Sequence, residues 1–181
     1  MSEVKIGNQE TGRILSYPHK KYINVFDLQP EDIEIEDIAH STAHICRYNG
    51  HVSHFYSVAQ HSVLVAQRFP RGSYLRKWGL LHDAPEYLIQ DVVAPLKYSG
   101  HYGFYLDLED IIMGVIAEKY GLEPEIPNEV KEVDIKLRGA EMRDLKGHEP
   151  TEETYAFTIR PWLPAYAKTQ FLREALDLGL E

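Results

Sequence analysis

The chain of 181 residues is 44% apolar and 26% charged, an ordinary globular balance, and carries a formal net charge of −9. That charge excludes a duplex-coating protein, whose phosphate contacts demand clustered Lys and Arg, but leaves room for a small phosphorylated ligand that needs only a few local cations. No apolar run reaches bilayer-spanning length, "MSEVKIGNQETGR" lacks a signal peptide's apolar segment, and a single cysteine, Cys46, allows no intrachain disulfide, so a cytoplasmic protein without a membrane partner is expected.

One domain is expected over residues 1–181, with residues 1–30 as an N-terminal extension and residues 31–181 as a helical core. In "GRILSYPHKKYINVFD", residues 12–27, β-branched and aromatic residues flank a polar turn, which predicts a small β-hairpin. Helical spacing of Ile35, Ile38, Ala39 and Thr42 predicts a helix ending near Asn49-Gly50. A second helix is predicted from Ser57 to Phe69, with Val58, Val65 and Phe69 on one stripe. A third runs from Tyr74 to His82, and a short fourth follows Pro85. "APLKYSGHYG" breaks the pattern and reads as a loop. Helices resume at Phe104–Tyr120, stopping at Gly121, and at Asn128–Leu145, then close the chain from Pro164. The fold class is therefore mainly α, a helical bundle with a small N-terminal hairpin.

The stretch "LLHDAPEYLIQD", residues 80–91, has two readings. Asp83, Pro85 and Glu86 match an N-cap with a capping box and a first-turn proline. Equally, its histidine and carboxylates suit an active site. His61 lies three residues after Val58 and four before Val65, so it points inward, either as a hydrogen-bonded core histidine or as a ligand. Asp134 lies four residues after Val130 and three before Leu137, and a buried Asp calls for a partner or a cation. Glu141 shares that face and either braces the site or pairs with Arg138 at the surface. Three helices thus aim His61, the His82–Asp83 pair and Asp134 inward, a nitrogen and oxygen set suited to Zn, Co, Mn, Fe or Mg.

In order along residues 35–145, "ICRYNGH", "FYSVAQHS", "HDAPEYLIQDVVAPLK" and "VKEVDIKLRGAE" resemble the HD-domain metal-dependent phosphohydrolases. Within them the likeness is to the small 5′-deoxynucleotidase and phage dATP triphosphohydrolase group. The resemblance implies an HD-domain bundle in which His61, His82, Asp83 and Asp134 ligate a divalent metal and Glu86 is the general acid–base group. It implies that Arg47 clamps the phosphate, with Lys97 and Lys131 as further phosphate cations. Asp91 would read the sugar hydroxyl, and Tyr48 and Pro95 would flank the base. A homo-oligomer acting on a small nucleotide, not a nucleic-acid polymer, is implied as well.

The implied activity is hydrolysis of the 5′-phosphate or 5′-triphosphate of a deoxynucleotide, with dATP a plausible substrate. The alternatives are another HD enzyme, such as a guanosine tetraphosphate or cyclic-nucleotide hydrolase or an HD oxygenase, and a catalytically silent nucleotide-binding sensor. His51, His54 and His101 stay outside the expected metal set. Asp107, Glu109 and Asp110 read as an acidic helix start, and Cys46 as buried packing.

Overall fold

The computed structural model describes residues 12–150 and 153–181, so the first eleven residues of the expected extension lie outside the described residues. The chain is mainly helical with one two-stranded hairpin, as expected. Strands β1 (Arg13–Leu15) and β2 (Tyr22–Asn24) pair antiparallel, with Ile14 opposite Ile23. Ile23, Val25 and Leu28 join the same hydrophobic core as the helices, so the hairpin is packed onto the bundle.

Helix α1 (Ile35–His44) ends well before the predicted Asn49-Gly50. Ile45 and Cys46 turn extended, and Cys46 forms an antiparallel bridge with Ser57. That bridge draws Arg47 N–H to the Tyr56 carbonyl and Val58 N–H to the Ile45 carbonyl, so these backbone groups are satisfied outside a helix. A 3-10 turn over Arg47–Gly50 follows, with Tyr48 and Asn49 left-handed at φ 57° and 51°. Cys46 is half-buried, not fully buried as the sequence reading expects.

Helix α2 (Val58–Ala66) starts on Ser57, whose hydroxyl accepts the Gln60 N–H, and stops three residues short of the predicted Phe69. It is buried on nearly every side and packs against α1, α3 (Tyr74–Leu81), α7 (Asn128–Lys146) and α8 (Pro164–Asp177). The α2–α3 approach is close because position 79 is glycine. A Cβ there would sit 2.8 Å from the Ala66 Cα. Arg76 on α3 reaches across to Glu174 on α8, with Nη2 donating at 2.7 Å and Nε at 2.9 Å, both residues nearly buried.

Helix α4 (Glu86–Ile89) is short, and α6 (Gly103–Tyr120) ends at a left-handed Gly121, φ 64°. The segment read as a loop contains a further short helix, α5 (Ala94–Lys97), started by Pro95 within its first turn. Among the described residues no helix is long and apolar enough to cross a membrane.

Candidate metal centre

Helices α2, α3 and α7 converge on one point. His61, at the middle of α2, has no exposed surface, and its Nε2 lies 3.2 Å from the His82 Nε2 at the C-terminal cap of α3. Asp83 Oδ2 is 3.3 Å from that His82 nitrogen and 3.5 Å from that of His61. Asp134 Oδ1, from α7, is 3.1 Å from His61 Nε2. His61, His82 and Asp83 form a group that can hold a metal ion.

The outer hydrogen bonds orient both rings. His61 Nδ1–H donates to Glu141 Oε1 at 2.6 Å, and His82 Nδ1–H donates to the Gly79 carbonyl at 2.9 Å. Both partners only accept, so in the neutral rings both Nε2 atoms are bare lone pairs aimed at each other. Two such lone pairs flanked by two carboxylates repel unless a proton or a cation lies among them. The donor set therefore fits a divalent cation, with the orienting contacts that metal-ligating histidines use.

Electrostatics record the same demand. Burial and the Arg47 guanidinium work against a charged His61, but Glu141 and Asp134 outweigh them and push it up to about 9. Burial opposes ionisation of Asp83, yet His82, His61 and Arg47 hold its carboxyl well below the usual range. Asp134 is likewise brought down, against burial, to about 2 by its hydrogen bond with His61.

Glu141 is the hub beneath. Fully buried, it accepts from His61, from Tyr56 Oη at 2.8 Å and from Tyr48 Oη. Of the two roles its sequence position allowed, bracing prevails; Arg138 lies near Asp134 instead, at 3.9 Å. Arg47 is buried with Nη1 donating to Asp83 Oδ2 at 3.0 Å and Nε 3.5 Å from Glu141 Oε2, an ion pair without a hydrogen bond.

Above the centre opens a cleft of about 670 Å³, lined among others by Arg47, Tyr48, Asp83, Glu86, Asp91, Pro95, Lys97 and Asp134. Of the expected site residues, His61 and His82 lie beneath the cleft floor and Lys131 lies apart, while the others line it. Lys131 is exposed and outside the cleft lining, because the cleft runs from Asp134 towards the C-terminus of α7. Lys97 does line the cleft but is engaged by Glu109, with contacts of 2.6 and 2.7 Å. Glu109 is therefore a side-chain partner, and no acidic residue falls in the first turn of α6.

The capping box does not form. Helix α4 starts at Glu86 with Pro85 at its cap and no side-chain cap, and Glu86 N–H bonds the Asp83 backbone carbonyl at 3.2 Å. That leaves the Asp83 carboxylate free for the centre and Glu86 free for the cleft. Glu86 is nearly buried, its Oε2 has no hydrogen-bond partner, and burial with the charges of Asp83 and Asp91 raises its carboxyl well above the usual range. Asp91 Oδ2 accepts the Tyr48 N–H at 3.3 Å; burial raises its carboxyl too.

Of the remaining histidines, His51 and His148 line the cleft, whereas His54 and His101 are exposed outside it; none joins the metal-competent group. Tyr56, the Gly79 carbonyl and Lys146 are site residues that the sequence reading passes over, and Arg138, read there only as a surface partner for Glu141, lines the cleft. Asp134, Arg138, Met142 and Lys146 recur every four residues, a shared helix face that could have disclosed two of them.

The chain is 40% identical over 160 residues to "Uncharacterized protein YfdR" of Escherichia coli K12, covering 84% of this chain and 88% of that protein. The chain belongs to the YfdR family. It is also 40% identical over 116 residues to "Uncharacterized protein RCAP_rcc00048" of Rhodobacter capsulatus, of which it spans 59%. No protein-family model matches the chain. Neither family relative's name states an activity, so function is argued from the centre itself.

Proposed function

We propose that this protein is an HD-type phosphohydrolase that removes the 5′-phosphate or 5′-triphosphate from a deoxynucleotide. The observation that carries the reading is the convergence of the His61 and His82 Nε2 atoms with Asp83 and Asp134, beside a buried, unpartnered Glu86 carboxyl. A divalent cation held by those four residues would supply Lewis-acid polarisation of the phosphoryl group and make water more acidic there.

The chain's own groups do the rest. Water attacks phosphorus, the bond from phosphorus to the 5′-oxygen breaks, and Glu86 carries the proton from water to the departing oxygen. A carboxyl raised by burial and by Asp83 and Asp91 suits that shuttle better than an ordinary surface carboxylate, which gives up its proton far more readily. Arg47 lines the cleft beside Asp83 and stabilises charge developing on the phosphoryl oxygens. Arg138 and Lys146 add cations along the same wall, supporting a substrate with more than one phosphate. Asp91 accepts from the sugar, and Tyr48 with Pro95 borders the base.

Incubation of the metal-loaded protein with dAMP, dADP and dATP, with products separated by chromatography, tests the reading. Deoxynucleoside should appear with phosphate, pyrophosphate or triphosphate released whole. Absence of deoxynucleoside from all three with Mn, Co and Zn would sink it. Self-association, implied by the same likeness, is read by sedimentation.

A further inference from the structure

On the side of α4 away from the cleft lies a separate cavity of about 490 Å³, walled by the hairpin, α1 and α4. One of its lining groups is Asp37, only 1% exposed. Asp37 Oδ1 accepts the His19 backbone N–H at 3.2 Å and faces His19 Nδ1 at 2.8 Å, but Oδ2 has no hydrogen-bond partner. The hydroxyl of Tyr87, another lining residue, is also buried and unpartnered. A buried carboxylate oxygen left without a donor is costly, and a donor entering from the cavity would remove that cost.

Beside this acceptor the rings of Tyr17, His40 and His44 form a row, with centroids 4.5 Å and 4.3 Å apart. Burial and the neighbouring His44 keep His40 below its ordinary value, which favours the uncharged ring at the centre of the row. Leu88 adds aliphatic wall. The cavity therefore combines a stacking surface, an apolar wall, one buried acceptor and one buried hydroxyl, which is a recognition set for a flat heterocycle with an N–H.

We propose that this cavity is a second binding site, for a nucleobase that stacks on the Tyr17–His40–His44 row and donates an N–H to Asp37 Oδ2. Occupancy is independent of any chemistry in the cleft. Tyr87 and Leu88 touch the occupant directly, whereas Glu86 on the same short helix faces the cleft, so a ligand here bears on the segment that carries Glu86.

Backbone amide shifts of the full chain, titrated with adenosine, cytidine and purine riboside, test this. Purine riboside keeps the rings of adenosine but has no N–H on the base. Adenosine or cytidine should shift amides of residues 14–17 and 37–45, both in wild type and in Arg138→Gln, a change in a cleft residue that does not line this cavity. Purine riboside should bind there about tenfold or more weakly, the loss of one hydrogen bond to a charged acceptor. Asp37→Asn should weaken adenosine similarly. If that variant unfolds, His40→Ala, which removes the central ring of the row, should weaken adenosine and cytidine instead. Shifts confined to residues 91–98 and 134–148, equal affinity for purine riboside and adenosine, or no shift at all would overturn the proposal.

Discussion

His61 and His82 bring their Nε2 atoms to 3.2 Å from each other, while Glu141 and the Gly79 carbonyl accept their Nδ1 protons. Such a pair holds a cation or a proton, and the competition between them is measurable. With no cation, Glu141 and Asp134 overcome burial and Arg47 to push His61 up to about 9, so the ring is charged at neutral pH. Metal uptake then expels that proton. Affinity should rise about tenfold per pH unit on approaching pH 9, and the calorimetric enthalpy should vary with buffer ionisation by about one proton. A buffer-independent enthalpy would contradict it.

The metal-free protein should respond in the opposite sense. A histidine whose folded value is raised adds stability that is fully present below its unfolded value of about 6.5 and is lost as pH rises through its folded value. His61 should therefore make the metal-free chain less stable between about pH 6.5 and 9, and metal should restore it. Denaturant midpoints across that window, with and without metal, check both directions.

Glu141→Ala should damage fold and centre together. The substitution leaves the buried Arg47 charge with Asp83 as its one remaining ion-pair partner at the centre and strands the Tyr56 hydroxyl and the His61 N–H. A stability loss of about 3–5 kcal/mol is expected from the stranded buried donors together with the weakened pairing of Arg47. Metal affinity should fall by about 10–100-fold from loss of the ring's orienting acceptor. Glu141→Gln, which keeps an acceptor oxygen, should be milder in both.

Gly79→Ala tests how packing sets the centre. An added Cβ would meet the Ala66 backbone at 2.8 Å and 3.0 Å, so α3 must move away from α2. Because α2 carries His61 and α3 ends on His82, separation of the helices parts the two nitrogens. A cost of about 1–3 kcal/mol, typical of overpacking, should come with weaker metal binding. Undiminished affinity in a destabilised variant would show that the helix spacing does not govern the site.

Much of this was legible in the sequence because it rests on local periodicity. Spacing from Val58 and Val65 turned His61 inward, and Val130 with Leu137 did the same for Asp134. What failed depended on non-local contacts. The Cys46–Ser57 bridge that ends α1 early joins residues on separate elements, and the Lys97–Glu109 pair bridges two helices. Neither leaves a trace in a helical stripe. The Asp83–Glu86 spacing did fit a capping box, yet the Asp83 carbonyl, not its side chain, receives the Glu86 N–H. Lys131 shares Asp134's helix but lies one turn before the cleft begins, a distinction spacing cannot make.

Arg76→Ala separates stability from chemistry. Glu174 would lose its buried bidentate partner, and the Phe69 carbonyl its donor. A loss of about 3–5 kcal/mol is expected in urea unfolding. Metal content at low temperature should stay at the wild-type level, since neither residue touches the centre.

The most direct test is the deoxynucleoside released from dAMP and dATP by one preparation, measured as purified, after dialysis against a chelator, and after Mn²⁺ is returned. The site described here predicts turnover, its loss with the metal, and its recovery. Full turnover by metal-free protein, or no deoxynucleoside at any stage, would contradict it.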